Sequence, residues 1–198
     1  MSKRKVNLVV VCEDIQQEAF VRRYLAKRGF DKRRIYVRKS PAGKGSGEQF
    51  VREQLSKEVR EFRRRSSYQE GVALVAVIDA DTLSVNTRLT QINSALVGEG
   101  LAEIRTDERI AVFIPKRNIE TWIQFARDRT VNEETLYPKL KTPSSCKEEV
   151  NLYVDTICRG GIPDDALPSL VHACNELDKI LGMVQKRTHA SNSTFTIE

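Results

Sequence analysis

Residues 6–12 read Val-Asn-Leu-Val-Val-Val-Cys, apolar at every position but one. So short and continuous a run suits a strand buried on both faces of a parallel sheet, not a helix with one wet side. The period then changes. Ile15, Ala19, Phe20, Tyr24 and Leu25 recur close to the helical repeat with arginines opposite them, which predicts an amphipathic helix capped by Asp14 and ended by Gly29. Residues 34–38 predict a second strand. A Gly-rich loop over 41–47 leads to another helix, with Phe50, Val51, Leu55, Val59 and Phe62 on one face.

Residues 72–78 are uninterrupted apolar positions closed by Asp79, the pattern of a central strand. A helix over 84–97, ended by Gly98 and Gly100, and a strand over 109–114, stopped by Pro115, follow. Asn118 is placed to cap a helix carrying Ile119, Trp122, Ile123 and Ala126. Strand and helix alternating in this way predict an α/β fold, a parallel sheet with right-handed crossovers flanked by helices. After residue 132 the alternation stops. A turn region over 137–143 and two amphipathic helices, 146–157 and 167–181, predict a C-terminal helical extension, so the expected division is a core over 1–128, an extension over 129–185 and a flexible polar tail over 186–198.

The length of 198 residues accommodates that division. No stretch approaches the roughly 20 apolar residues a bilayer span requires, so no membrane partner is expected. The basic start precedes a short apolar run that ends in Glu13 without a small-residue cleavage site, which leaves the cytoplasm as the expected compartment. Cysteines at 12, 146, 158 and 174 form no C-x-x-C pair and only His172 and His189 supply imidazoles, which argues against structural zinc. Cys12, Cys158 and Cys174 read as small buried hydrophobes, and Trp122 as core.

A net charge of +6 gains meaning from its distribution. Basic residues crowd 22–39, and Arg60, Arg63, Arg64 and Arg65 end the second helix. Such clusters serve either as solvated faces that complement the helix dipole or as contacts to phosphate. For the second role the candidates are Arg22, Arg23, Lys44, Arg63, Arg64 and Arg65, with nucleic acid as the partner. Gly43-Lys44-Gly45-Ser46-Gly47 does not make a Walker A loop, because Gly45 follows Lys44 and no glycine stands at the upstream position. It reads as a flexible connection or as a phosphate loop at a helix N-terminus.

Glu13 directly follows the first strand and Asp79 the central one, so both leave the carboxyl edge of one sheet, where open α/β folds place their sites. In Asp79-Ala80-Asp81 an extended backbone points both carboxylates the same way. Acids this close repel one another, and hard divalent cations want such oxygens. The competing reading makes Asp79 and Asp81 caps of a strand-to-helix turn, and Glu120 a first-turn acid that stabilises a helix dipole.

These residues also carry a resemblance. Val9-Val10-Val11-Cys12-Glu13 with Gln17-Glu18-Ala19-Phe20 resembles the first motif of toprim domains, and Ile78-Asp79-Ala80-Asp81 the second. Ile114 to Trp122, with Glu120 two before the tryptophan, is similar to the segment that follows in small stand-alone bacterial toprim proteins. Asp14 stands where toprim domains usually have Gly, and Gln17 where an acid is often found. The resemblance covers roughly residues 6 to 127 and implies a toprim-like sheet and a nuclease related to the overcoming-lysogenisation-defect family. It further implies Mg²⁺, with Mn²⁺ as substitute, held by Asp79, Asp81 and Glu120, with Glu13 as ligand or acid-base group and Glu18 as an alternative oxygen. Lys116 or Arg117 would clamp the departing phosphate. Many toprim nucleases act with an ATPase, which places antiviral defence among the expected roles. The alternatives are a catalytically weak nucleic-acid sensor or docking subunit, and an RNA-maturation nuclease.

Overall fold

A computed structural model describes residues 3–41, 46–158 and 164–190; Lys44 lies outside them. The continuous apolar runs become four strands, β1 (Asn7–Cys12), β2 (Ile35–Lys39), β3 (Val72–Val77) and β4 (Ile110–Phe113). All pair in parallel in the order β2-β1-β3-β4, with Val10 beside Val37 and Val75, and Val75 beside Ala111. The chain is therefore α/β, as its alternating pattern predicts.

Between the strands run α1 (Ile15–Lys27), α2 (Gly47–Ser66) and α3 (Val85–Gly98), and after β4 come α4 (Ile119–Arg127), α5 (Lys147–Leu152) and α6 (Pro168–Ala190). Successive side chains of a strand point to opposite faces, and the core obeys this rule. Ala73, Val75 and Val77 join α1, α4, α5 and α6 on one face, while Val72, Leu74, Ala76 and Ile78 join α2 and α3 on the other. Both faces of β3 are thus buried, which explains a run with no polar position.

The helices expected after residue 128 are present, and they complete the first face. Leu170, Ala173, Leu177 and Ile180 of α6 pack in the same apolar cluster as Leu8, Val10 and Phe20. Tyr153 joins the segments, with ring centroids 5.7 Å from Phe20, 5.2 Å from Tyr24 and 6.4 Å from Trp122. Trp122 is buried and its Nε1–H donates to Ser169 Oγ at 2.7 Å, so it belongs to the core. Helix α5 ends at Leu152 and continues as a wider, π-type turn over Tyr153–Cys158, so helical backbone covers 147–158 where 146–157 was expected.

Strand β4 is the outer strand on its side, and α6 covers it. Val112 N–H donates to Glu176 Oε2 at 3.0 Å, and the Val112 carbonyl accepts from His172 Nε2–H at 3.0 Å. Among the described residues no helix is long and apolar enough to cross a membrane.

Candidate functional site

The strand order reverses between β1 and β3. From β1 the chain moves outward to β2, then returns past β1 to reach β3 and β4. Helix α1 packs on one face of the sheet and α3 on the other, which opens a crevice at the carboxyl ends of β1 and β3. Glu13 and Asp79 leave the sheet there. Glu13 Oε1 accepts the backbone N–H of Asp79 at 2.7 Å, tying the two strand ends together.

Local chemistry holds this turn. Asp14 caps α1, its Oδ1 accepting from the N–H groups of Gln16 and Gln17 at 2.9 Å each, and the Gln17 side-chain oxygen accepts Glu13 N–H at 2.8 Å. The Gln17 amide nitrogen is buried and completes no hydrogen bond. Asp14 uses its second oxygen for Lys139, whose Nζ lies 2.6 Å away. Helix α2 begins against the same crevice, since Gly47 faces Glu13 so closely that a side chain there would press on it.

Burial pushes the Asp79 carboxyl well above its ordinary value, and the charges of Glu13, Asp14 and Glu120 push the same way. Although Asp79 as a residue is only half-buried, its Oδ1 is shut off from water and has no hydrogen-bond partner. Glu13 is also raised, by burial first, against the bond from Asp79 N–H and with repulsion from Asp81 and Asp14. Glu120 is 3% exposed, its Oε1 is likewise unpartnered, and burial raises its carboxyl too. Its own backbone N–H and Lys139 oppose that rise, while Asp14 adds to it.

The other expected oxygens are engaged elsewhere. Asp81 is exposed and pairs through Oδ2 with the buried Arg88 at 3.1 Å, and Arg88 also bonds Glu48. Glu18 accepts from Lys39 at 2.9 Å and Arg22 at 3.1 Å; burial alone would raise its carboxyl, but these cations hold it below its ordinary value. Among the described residues no three acidic, His or Cys side chains stand close enough together to hold a metal ion. Within this limit the donor chemistry suits a hard cation. Two buried carboxylate oxygens without partners, on Asp79 and Glu120, beside the half-buried Glu13, are costly unless protonated or met by positive charge.

Lys116 and Arg117 border the crevice in the β4–α4 loop. Lys116 Nζ donates to the Leu83 carbonyl at 2.9 Å and pairs with Glu134 at 3.2 Å, while Arg117 Nε donates to the Glu134 carbonyl at 2.8 Å. Asp81 and Arg117 form an isolated antiparallel bridge, and both have left-handed backbones, with φ of 53° and 64°. For residues with a side chain that conformation costs roughly 1–2 kcal/mol each. Asn118 stands at the N-terminus of α4 without capping it; its amide is drawn to the Tyr137 carbonyl at 2.8 Å and its oxygen to Thr121 Oγ1 at 3.2 Å.

The two basic clusters differ in position. Arg63, Arg64 and Arg65 end α2, about 24 Å or more from Gly47 at ~1.5 Å rise per residue. Their donors are engaged: Arg63 by Glu108 at 2.7 Å, Arg64 by Glu61 at 2.7 Å and Arg65 by Gln69 at 3.0 Å. Arg22 and Arg23 lie on α1, whose first turn carries the site. Sequence reasoning missed Lys139, Arg88 and the contact of Gly47 with Glu13. Arg88 left a signal, since it occupies the buried stripe of α3 with Ile92 and Leu96. Lys139 left none.

Comparison with protein-family models, curated proteins and solved structures finds no match. The crevice itself is therefore the ground for a functional reading.

Proposed function

We propose that the chain is a toprim-type, Mg²⁺-dependent nuclease acting on nucleic-acid phosphodiesters at the Glu13–Asp79 crevice. The observation that carries this reading is the meeting of Glu13 with Asp79 at the point of strand reversal, with unpartnered buried oxygens on Asp79 and Glu120. Asp79 and Glu120 would hold the cation, and Glu13 would serve as ligand or as acid-base group. A bound Mg²⁺ would polarise a phosphoryl oxygen and lower the pKa of bound water. Glu13, whose carboxyl is raised by burial, is suited to hold a proton that an ordinary carboxylate would already have lost. Lys139 and Lys116 supply positive charge at the rim, where a phosphate would arrive.

Two observations favour the alternative of a catalytically weak nucleic-acid sensor. Asp81 is held by Arg88 instead of facing Asp79, and Gln17 offers an amide toward the crevice where an acid would bind metal.

Calorimetry with Mg²⁺ and with Mn²⁺ on the wild type and Asp79→Asn/Glu120→Gln tests the metal; equal heats from both proteins would end the reading. Cleavage of DNA and RNA, assayed alone and with an ATPase partner, tests the chemistry. Glu13→Gln keeps an acceptor for Asp79 N–H and is expected to lower the rate about a hundredfold or more. Binding without cleavage by the wild type under every condition would favour the sensor.

A further inference from the structure

A groove of about 240 Å³ lies between α1 and the start of β2, lined by Ala19, Arg22, Arg23, Lys32 and Ile35. We infer that it is a phosphate-binding track for the strand whose bond lies in the Glu13–Asp79 crevice; this rests on the nucleic-acid reading above.

The groove holds more positive charge than its neighbours offset. Among the described residues only Arg22 of its three cations meets a carboxylate, Glu18 at 3.1 Å, and Glu18 is shared with Lys39. Arg23 donates to a neutral thiol, Cys146 Sγ, at 3.4 Å. The Lys32 side chain has no hydrogen-bond or ion-pair partner among the described residues. Several arginines elsewhere are matched to carboxylates, Arg38 to Glu58, Arg64 to Glu61, Arg127 to Glu149 and Arg129 to Asp165, while Arg34, Arg60, Arg65 and Arg117 meet neutral oxygens. An open concavity that keeps its positive charge uncompensated, over the apolar floor of Ala19 and Ile35, is suited to an anion.

The groove also lies in line with the crevice. Helix α1 starts at the crevice and carries Arg22 and Arg23 about 10–12 Å away from Ile15, at ~1.5 Å rise per residue. An anion that reaches from the crevice to Arg23 must therefore extend over more than one nucleotide. Lys39, at the crevice end of β2, stands between, so the positive path runs from Lys39 through Arg22 to Arg23 and Lys32. A path of that length suits an extended polyanion better than a single small anion.

Arg23→Ala/Lys32→Ala removes two groove charges without touching the carboxylates. Lys57→Ala/Arg60→Ala removes the same charge on the far half of α2. Binding of a fluorescent single-stranded oligothymidylate is followed by anisotropy against salt, with chelator present so that nothing is cleaved. The groove variant is expected to lose about 1.4 from the slope of log K against log salt, two contacts at ~0.7 each, while the control keeps the wild-type slope. Equal slopes in all three proteins, or equal losses in both variants, would overturn the track. So would a wild type that binds thymidine monophosphate or inorganic phosphate but not the oligonucleotide, or none of them. Binding through Arg23 and Lys32 by a protein that never cleaves would uphold the track and remove the nuclease; cleavage with the slope unmoved would do the reverse.

Discussion

A Cβ placed on Gly47 would stand 3.0 Å from the Cβ of Glu13 and 3.1 Å from its Oε2. The start of α2 is thus fitted against the carboxylate that Asp79 N–H holds from the other side. Overpacking costs typically about 1–3 kcal/mol, and Ala in a helix returns up to about 1 kcal/mol, so the net change in stability is small and unfavourable. The larger effect falls on Glu13, which must move. Gly47→Ala is expected to shift Tm by only a few degrees while weakening Mg²⁺ binding and cleavage at least tenfold, read by calorimetry and a cleavage assay. Unchanged affinity and rate would show that the position of Glu13 does not matter.

Glu13, Asp79 and Glu120 all have carboxyls raised by folding, so the folded chain binds protons that the unfolded chain has lost. Their stabilising contribution is therefore complete below the ordinary carboxylate range and is lost as pH rises through the folded values. His172, whose pKa is lowered chiefly by burial, works in the opposite sense as pH falls through its unfolded value. With chelator present, the difference in Tm between wild type and Glu13→Gln/Asp79→Asn is expected to move in favour of the variant as pH rises from 5 to 7.5. Mg²⁺ should raise the wild-type Tm more at the higher pH, because protons compete for the same oxygens. A difference that stays constant with pH would mean these carboxyls titrate normally.

Arg88 is 4% exposed and ties Asp81 to Glu48. Arg88→Met removes the tie and leaves Asp81 free to turn toward Asp79. The expected cost is about 1–3 kcal/mol, because the buried Ala80 carbonyl and the partly buried Glu48 lose a charged donor. If Asp81 belongs to the metal site, Mg²⁺ affinity rises several-fold despite that cost, measured by calorimetry. An affinity that is unchanged or lower would leave Asp81 outside it.

Ser169 accepts the indole N–H of Trp122 and in turn donates to Glu133. Ser169→Ala strands a buried donor and should lower stability by about 1–3 kcal/mol. Since Trp122 is the sole tryptophan, its fluorescence reports the change directly. A blue-shifted or unshifted emission with undiminished stability would argue that the bond is unimportant.

The strands and their order of burial were legible because a short apolar run without a polar position, as in 72–78, has no wet face and fits little besides a strand covered on both sides. Glu13 and Asp79 were legible for a related reason, since the end of a strand fixes where the next residue emerges, whereas Glu120, in the first turn of α4, was named through the toprim resemblance. Partners were not. Arg63 is neutralised by Glu108, forty-five residues away, and Asp81 by Arg88 on the following helix, and a linear pattern shows charges without showing who meets whom. Lys139 reaches Asp14 across 125 residues from a stretch with no period. Asn118 had the right residue type for a cap, but the Tyr137 carbonyl and Thr121 hydroxyl took its side chain.

In a parallel strand alternate residues turn their backbone groups to opposite sides. In β4 the Arg109 and Phe113 carbonyls face β3, and Val112 turns outward to Glu176 and His172. An imidazole and a carboxylate one helical turn apart thus take the place of a neighbouring strand, supplying the donor and the acceptor it would have offered. The sheet is closed to growth on that side by its own chain. A fifth strand, whether inserted in a longer relative or lent by another polypeptide, would have to dislodge α6 from the first core face before it could pair with β4.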